Sequence, residues 1–313
     1  MLRKGERWLR LTAQFAGILL ICALSAGGQA RHNANPPPSI RVDRNLVLVP
    51  VTVCDSRNRV ISGLDKEHFR VFDDNVEQSV TEFFQEDEPI AIGLVFDTSA
   101  SMGNKLSRSR DAANAFLSVA NEEDEFFAIE FNDRPRLTVP LTRDTREIPE
   151  RLFLTKAHGR TALLDAVYLA LQEIKKSAKS RKALLIISDG GDNASRYRGT
   201  EVKSLARESD VLIYGLGIYG AAGTAEELYG PTLLSQIAEL TGGREFPIAD
   251  INDMPEATAK IGIELRNRYV LGFSPPAVQR DGRYHRLRVK LLPPPAMPRL
   301  NAYWRPGYYA PEE

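Results

Sequence analysis

The sequence predicts an α/β chain: a doubly wound, mostly parallel sheet flanked by a small β module built from its N- and C-terminal segments. Two observations predict it. Between Ile90 and Arg266, apolar runs of strand length alternate with segments of helical periodicity. On either side, residues 41–87 and 268–313 have β texture and no strong helix. The 313 residues suffice for one sizeable domain, or for one domain and a smaller partner. Lysine plus arginine equals aspartate plus glutamate, at 41 each, so bulk charge drives no binding to nucleic acid or anionic membrane.

Residues 1–30 read as a secretory signal. Arg3, Lys4, Arg7 and Arg10 form a positive leader, Phe15 to Ala26 an apolar core, and Gly28-Gln29-Ala30 a small-residue cleavage site. The apolar core is shorter than the roughly 20 residues of a spanning helix. Leu11 to Gly28 could still span with tilt as an uncleaved anchor. The expectation is therefore export, periplasmic or secreted, with inner-membrane anchoring as the alternative. Residues 31–40 contain Pro36-Pro37-Pro38 and read as a linker. With Cys22 inside the signal, the mature chain keeps only Cys54, so no internal disulfide can form. Cys54 closes a valine-rich strand pattern and reads as a buried, inert thiol.

Within residues 41–87, Leu46 to Val53 is a β-branched run interrupted by Pro50, which predicts an edge strand. Phe69 to Phe72 and Val80 to Phe84 flank Asp73-Asp74-Asn75 and predict a hairpin. The domain over 88–267 follows. Ile90 to Phe96 is its first strand, Lys105 to Val119 a helix, and Phe126 to Phe131 a strand. Ala162 to Ile174 carries apolar residues at 163, 164, 167, 171 and 174, a helical stripe. Ala183 to Ile187 is a continuous apolar run, as in a strand buried on both faces. Glu201 to Ser209 is a short helix, Val211 to Ile218 a buried strand, and Glu226 to Leu240 and Met254 to Arg266 are the last helices. In residues 268–313, Tyr269 to Phe273 is a strand and Asp281-Gly282 a hairpin-type turn. Leu287, Val289 and Leu291 alternate with Arg286, Arg288 and Lys290, whose charges suit a solvated, edge-protecting face. Leu300 to Arg305 is a final strand. Neither β segment closes a core alone, so the two are expected to pair with each other.

The candidate chemistry lies in three loops at the carboxyl ends of the strands, where open α/β sheets place their ligands. Asp97-Thr98-Ser99-Ala100-Ser101 follows the first strand and offers Asp97, Ser99 and Ser101. Thr161 opens the striped helix, and Asp189 follows the Ala183 strand in Ser188-Asp189-Gly190. Two serines, one threonine and two aspartates form an oxygen-only set, which suits a hard divalent cation and argues against zinc and copper. Hydroxyl ligands are neutral, so such a site leaves positive charge for an incoming carboxylate.

Asp97-x-Ser99-x-Ser101, Thr161 and Asp189 together resemble the metal-ion-dependent adhesion site of the von Willebrand factor type A family, over roughly residues 88–267. The flanks resemble its bacterial exported subgroup through Val49-Pro50-Val51-Thr52-Val53, Gly63 to Val71, Tyr269-Val270-Leu271-Gly272-Phe273 and Arg305-Pro306-Gly307-Tyr308-Tyr309. The resemblance implies a Rossmann-like fold that binds protein ligands through Mg²⁺ or Mn²⁺. It implies direct metal contact from Ser99, Ser101 and Thr161, contact mainly through water from Asp97 and Asp189, and a partner Asp or Glu completing the shell. The family commonly has glycine where Ala100 stands, and alanine avoids positive φ, so a slightly altered loop is expected there.

Rival readings are a metal-dependent hydrolase or phosphatase and a structural module whose Ser and Thr residues only cap helices. A phosphatase aspartate loop would carry a second aspartate at Ser99, and no Gly-x-Ser-x-Gly elbow occurs. The histidines at 32, 68, 158 and 285 form no ligand-spaced pair; His158, nearest the loops, is the one candidate base. Gly215-Leu216-Gly217-Ile218-Tyr219-Gly220 has dinucleotide-fingerprint spacing but closes a late strand instead of opening a helix. The reading is a binding protein with no catalytic residue.

Overall fold

The computed structural model describes residues 46–219, 225–275, 282–294, 297 and 299–310. The expected signal, the linker, Cys22 and Asp281 of the expected turn lie outside the described residues.

In chain order, β1 (Val47–Asp55), β2 (Phe69–Asp73), β3 (Val76–Gln78) and β4 (Glu82–Gln85) precede the alternating region. That region runs β5 (Ile90–Asp97), α1 (Leu106–Leu117), β6 (Glu125–Phe131), β7 (Pro135–Thr142), α2 (Glu147–Phe153), α3 (Leu163–Glu173) and β8 (Arg181–Ser188). It continues through α4 (Gly199–Glu208), β9 (Val211–Ile218), α5 (Ala225–Glu239), β10 (Glu245–Ile248) and α6 (Met254–Arg266). The chain then returns to strands: β11 (Tyr269–Phe273), β12 (Tyr284–Leu291), β13 (Leu300–Trp304) and β14 (Gly307–Tyr309).

The central sheet has the order β10-β9-β8-β5-β6-β7. All its neighbours are parallel except β7, which runs antiparallel to β6. Every residue of β5 and β9 is buried, because helices cover both faces. One face packs on α1, α2 and α6 through Leu106, Phe116, Leu152, Met254 and Ile261. The other packs on α3, α4 and α5 through Val167, Leu171, Val202 and Leu234. At Gly93, in β5, an added Cβ would lie 2.2 Å from Phe127 Cζ and 2.6 Å from Leu184 Cδ2, so only glycine fits. β7, α2 and β10, which no sequence pattern singled out, complete the layer.

The two flanking segments do pair with each other. They form two four-stranded sheets, β13-β1-β11-β4 and β14-β12-β2-β3, and each sheet draws strands from both segments. Val49, Val51, Phe69, Val71, Leu271, Phe273, Leu287 and Val289 form the core between them. Three expectations need correction. The Leu46 to Val53 strand is not an edge: β1 lies between β11 and β13. Pro50 is tolerated because β13 begins its pairing at Val51, so no strand there is deprived of a donor. The hairpin partner of β2 is β3, around a turn at left-handed Asp74 and Asn75, with φ 45° and 70°. Residues 82–85 instead pair with β11 in the other sheet. Arg286, Arg288 and Lys290 do face solvent, but β12 is an inner strand, so they guard no edge.

The sandwich is tied to the α/β layer by a buried cluster. Arg244, before β10, pairs with Glu264 of α6 and donates to Asn58 Oδ1 at 2.8 Å. Its guanidinium also lies over the Tyr303 ring, 4.5 Å from the centroid. Cys54 contacts both charges at the same place.

Candidate functional site

β5 and β8 are parallel neighbours in a register that sets Phe96 beside Ile187. Asp97 and Ser188 therefore end adjacent strands, and Asp189 follows immediately. The chain leaves β5 toward β6 on one side and returns to β8 on the other. This is the switch point at which loops diverge and leave a crevice.

Backbone hydrogen bonds knit the three loops into one surface. His158 N donates to Thr98 O at 2.9 Å and Ala100 N to Gly159 O at 3.1 Å, joining the first loop to the second. Asn193 N and Ala194 N donate to Thr161 O at 2.9 and 3.0 Å, joining the second to the third. The Asn193 side chain adds a bond from Thr161 N to its Oδ1 at 2.9 Å. Gly159 reverses the second loop with φ 77°.

On this surface the structure brings the five sequence-predicted residues to one rim. Asp97 is fully buried, Ser99, Thr161 and Asp189 nearly so, and Ser101 is exposed. The group thus has a buried floor and an open mouth. Ser99 Oγ and Ser101 Oγ are 3.1 Å apart. A Cβ added at Gly191 would lie 3.5 Å from Asp189 Oδ1 and 3.8 Å from Thr161 Oγ1, so those two oxygens converge on one small space. Asp97 accepts from Ser99 N at 2.8 Å and from the Ser188 hydroxyl at 2.6 Å, which fixes its carboxylate.

The electrostatics favour a cation. Burial, and then the negative charge of Asp189, push the Asp97 carboxyl up from 3.8 to about 7. Two like charges held together in a dry place are costly unless a positive charge lies between them. The protein supplies part of that charge itself: Lys105 Nζ reaches Asp189 Oδ2 at 3.2 Å, with 11% of its side chain exposed. Sequence reasoning missed Lys105 and Ser188. Ser188 was visible as the strand-terminal hydroxyl beside Asp189, but nothing local links Lys105 to a residue 84 positions on.

The hydroxyls do not cap helices. Ser99 precedes a short 3-10 turn over Ala100–Met102, and Ala162 precedes α3; neither position has a side-chain cap. The N-terminus of α3 is served by Asp192, whose Oδ1 accepts from Leu164 N at 3.2 Å. Asp192 and Asn193 therefore shape the loops. Ala100 is not among the left-handed residues: it lies in the 3-10 turn, a conformation that suits any L-residue. Arg160 is exposed and held by Asp133, whose Oδ1 accepts its backbone N–H at 3.0 Å. His158 is exposed, with Nδ1 3.0 Å from Lys156 O and Nε2 3.3 Å from Asn132. Gly215 and Gly217 serve packing: a Cβ would lie 2.6 Å from Leu234 Cγ or 2.4 Å from Glu245 Oε1.

The oxygen-only donors and paired buried carboxylates fit a divalent cation. Residues 92–191 match the model of the von Willebrand factor type A domain. An uncharacterized protein of Borreliella burgdorferi is 25% identical over 212 residues, covering 56% of this chain and 62% of that protein. The chain thus spans less than two thirds of that relative. A von Willebrand factor type A structure from Catenulispora acidiphila has a TM-score of 0.51 at 11% identity, covering 85% of this chain and 72% of that one. Proximal thread matrix protein 1 of the mussel byssus, solved with a zinc-occupied MIDAS motif, has a TM-score of 0.51 at 18% identity, covering 62% and 50%.

Proposed function

We propose that this chain, whose residues 92–191 match the von Willebrand factor type A domain model, binds a protein partner through a divalent cation at the rim described above. Asp97, Ser99, Ser101, Thr161 and Asp189 hold the cation. The observation that carries this reading is the burial of Asp97 against the charge of Asp189, beside hydroxyls that cap no helix. When bound, the cation supplies a Lewis-acidic position that an outside carboxylate can take. Ser99, Ser101 and Thr161 contribute neutral oxygens, which leave net positive charge at the mouth. Asp97 and Asp189 supply the negative charge beneath them, and the Ser188 hydroxyl and Lys105 keep these carboxylates oriented. Exposed Ser101 faces the side from which the partner approaches.

The oxygen donors favour Mg²⁺ or Mn²⁺, and the zinc in the mussel protein's motif adds zinc as a competitor at the same position. The partner presents an exposed Asp or Glu. The protein acts outside the cytoplasm, as the signal-like residues 1–30 suggest. It performs binding without turnover: the carboxylates are buried beneath hydroxyls, and His158 is held by Asn132 and Lys156 at the surface.

The test is a pull-down from an envelope fraction with Mg²⁺ or with EDTA, using the wild type and Asp97→Ala. The expected result is a partner retained only by the wild type in Mg²⁺, while circular dichroism shows both chains folded. Equal capture in EDTA would refute the cation bridge. A partner that tolerates replacement of every exposed carboxylate would refute the acidic ligand.

A further inference from the structure

The sandwich carries a second group of donors, separate from the strand-edge rim. β2 ends at Asp73, and the chain reverses through left-handed Asp74 and Asn75. That turn lays the Asp74 carboxylate against β12, where its Oδ1 accepts from Arg286 N at 2.9 Å. Asp74 N in turn donates to Arg286 O at 2.9 Å. The register sets Asp73 opposite Leu287. His285 lies two residues from Leu287 on the same face of β12, which brings it beside Asp73. One ligand atom from each of Asp73, Asp74 and His285 falls within 4.8 Å of the others.

Two further observations point to a ligand. Asp73 is 7% exposed, and among the described residues its Oδ1 has no hydrogen-bond partner. That oxygen is aimed into the group: His285 Nδ1 is 3.3 Å away without the alignment of a hydrogen bond. Asp73 Oδ2, by contrast, accepts from Tyr308 Oη at 3.1 Å. A buried carboxylate oxygen left without a donor is costly unless something else satisfies it. The spacing indicates what. Donors about 2.0–2.1 Å from a tetrahedral zinc stand about 3.4 Å from one another. The edges from His285 Nδ1 are 3.3 Å to Asp73 Oδ1 and 3.4 Å to Asp74 Oδ2. A direct charge-assisted N–H···O bond would be shorter, about 2.7–2.9 Å.

We propose that Asp73, Asp74 and His285 form a second metal site, which takes a transition-metal dication of the zinc and cobalt class. The imidazole nitrogen separates its preference from that of the all-oxygen rim. Tyr308 is a positioning residue: its hydroxyl holds Asp73 and its ring stacks on His285 at 5.3 Å between centroids. The Asp74 side chain is 53% exposed, so the outer side of the site is open to water or to a partner's donor. The ion links β2 from the N-terminal segment to β12 from the C-terminal one, and so reinforces the pairing of these two strands within one sheet.

Isothermal titration of the full chain with Zn²⁺, in excess Mg²⁺, tests this. Asp74→Asn removes a ligand charge and suits the left-handed turn as well as aspartate does. His285→Gln removes the nitrogen. The wild type is expected to bind one tight equivalent of Zn²⁺, and both variants to bind it more than about 100-fold more weakly, beyond the loss from an outer-shell change. Tyr308→Phe is expected to weaken it about 10-fold to 100-fold. A chain with Ser99→Ala and Thr161→Ala is expected to bind this equivalent unchanged. Because zinc also competes for the rim, both ligand variants are read in the chain with Ser99→Ala and Thr161→Ala: Zn²⁺ binding that survives them there, that is lost with Ser99 and Thr161 alone, or that is absent from the wild type overturns the proposal and leaves only an ion pair at the turn.

Discussion

Replacing Asp97 by asparagine should make the metal-free protein more stable while removing its affinity for the cation. The fold forces Asp97 into a dry position beside Asp189, and its carboxyl titrates near 7 instead of 3.8. At about 1.4 kcal/mol per tenfold change in proton affinity, holding it ionised costs up to about 4 kcal/mol. The sign follows from proton binding. Between pH 4 and 7 the folded chain holds a proton here that the unfolded chain has released, so stability falls as pH rises through that window. Asparagine carries no charge to lose. Its Oδ1 can keep the bond from Ser99 N, and the Ser188 hydroxyl, which already accepts from Gly190 N at 3.0 Å, can also accept from the new amide. In EDTA at pH 8 the variant is expected to gain about 1–4 kcal/mol in urea denaturation followed by circular dichroism. The difference should shrink toward zero near pH 4. Adding Mg²⁺ at about 100 times its dissociation constant should stabilise the wild type by about 2.7 kcal/mol and leave the variant unmoved. A variant no more stable than the wild type at pH 8, or one that still responds to Mg²⁺, refutes the reasoning.

Lys105→Met removes the built-in counter-charge of Asp189; it should destabilise the metal-free chain by about 3 kcal/mol, because a buried carboxylate loses its partner. The same variant should bind Mg²⁺ more tightly by calorimetry, since no cation then competes for Asp189. Gly93→Ala places a methyl 2.2 Å from Phe127 Cζ at the centre of the sheet, so thermal denaturation should show a loss of about 1–3 kcal/mol. Burial, and then the charge of Glu264, push the Cys54 thiol up to about 12; peptide mapping after iodoacetamide at pH 8 should find it unmodified in the native chain and labelled after unfolding.

How much of this was legible in the sequence depended on how local the deciding forces are. β5, β8 and β9 declared themselves because strands buried on both faces must be apolar throughout. α1 and α3 did so by their helical stripes, whereas the short α2 shows none. β7 and β10 lie at the two edges of the sheet and carry no comparable run. Pro50 suggested an edge because proline cannot donate, yet the staggered start of β13 made an inner position harmless. Residues 82–85 looked like a hairpin arm because their neighbours in sequence were strands. Their real partner is β11, with Glu82 opposite Gly272. No local pattern states a pairing of that range.

The candidate site divides in the same way. Asp97, Ser99 and Ser101 share one loop, and the rule that α/β ligands gather at strand carboxyl ends was enough to add Thr161 and Asp189. Only the folded chain could place Lys105 against Asp189, free the hydroxyls from capping by giving that task to Asp192, or bring Asp73 and Asp74 to His285. Alternation of apolar and polar residues, and the residue types at strand ends, determined the layers and the chemistry the loops can hold. Which charges meet, and which oxygens are left without a hydrogen, was decided by tertiary packing, because burial and Coulomb energies depend on distances in space and not on separation along the chain.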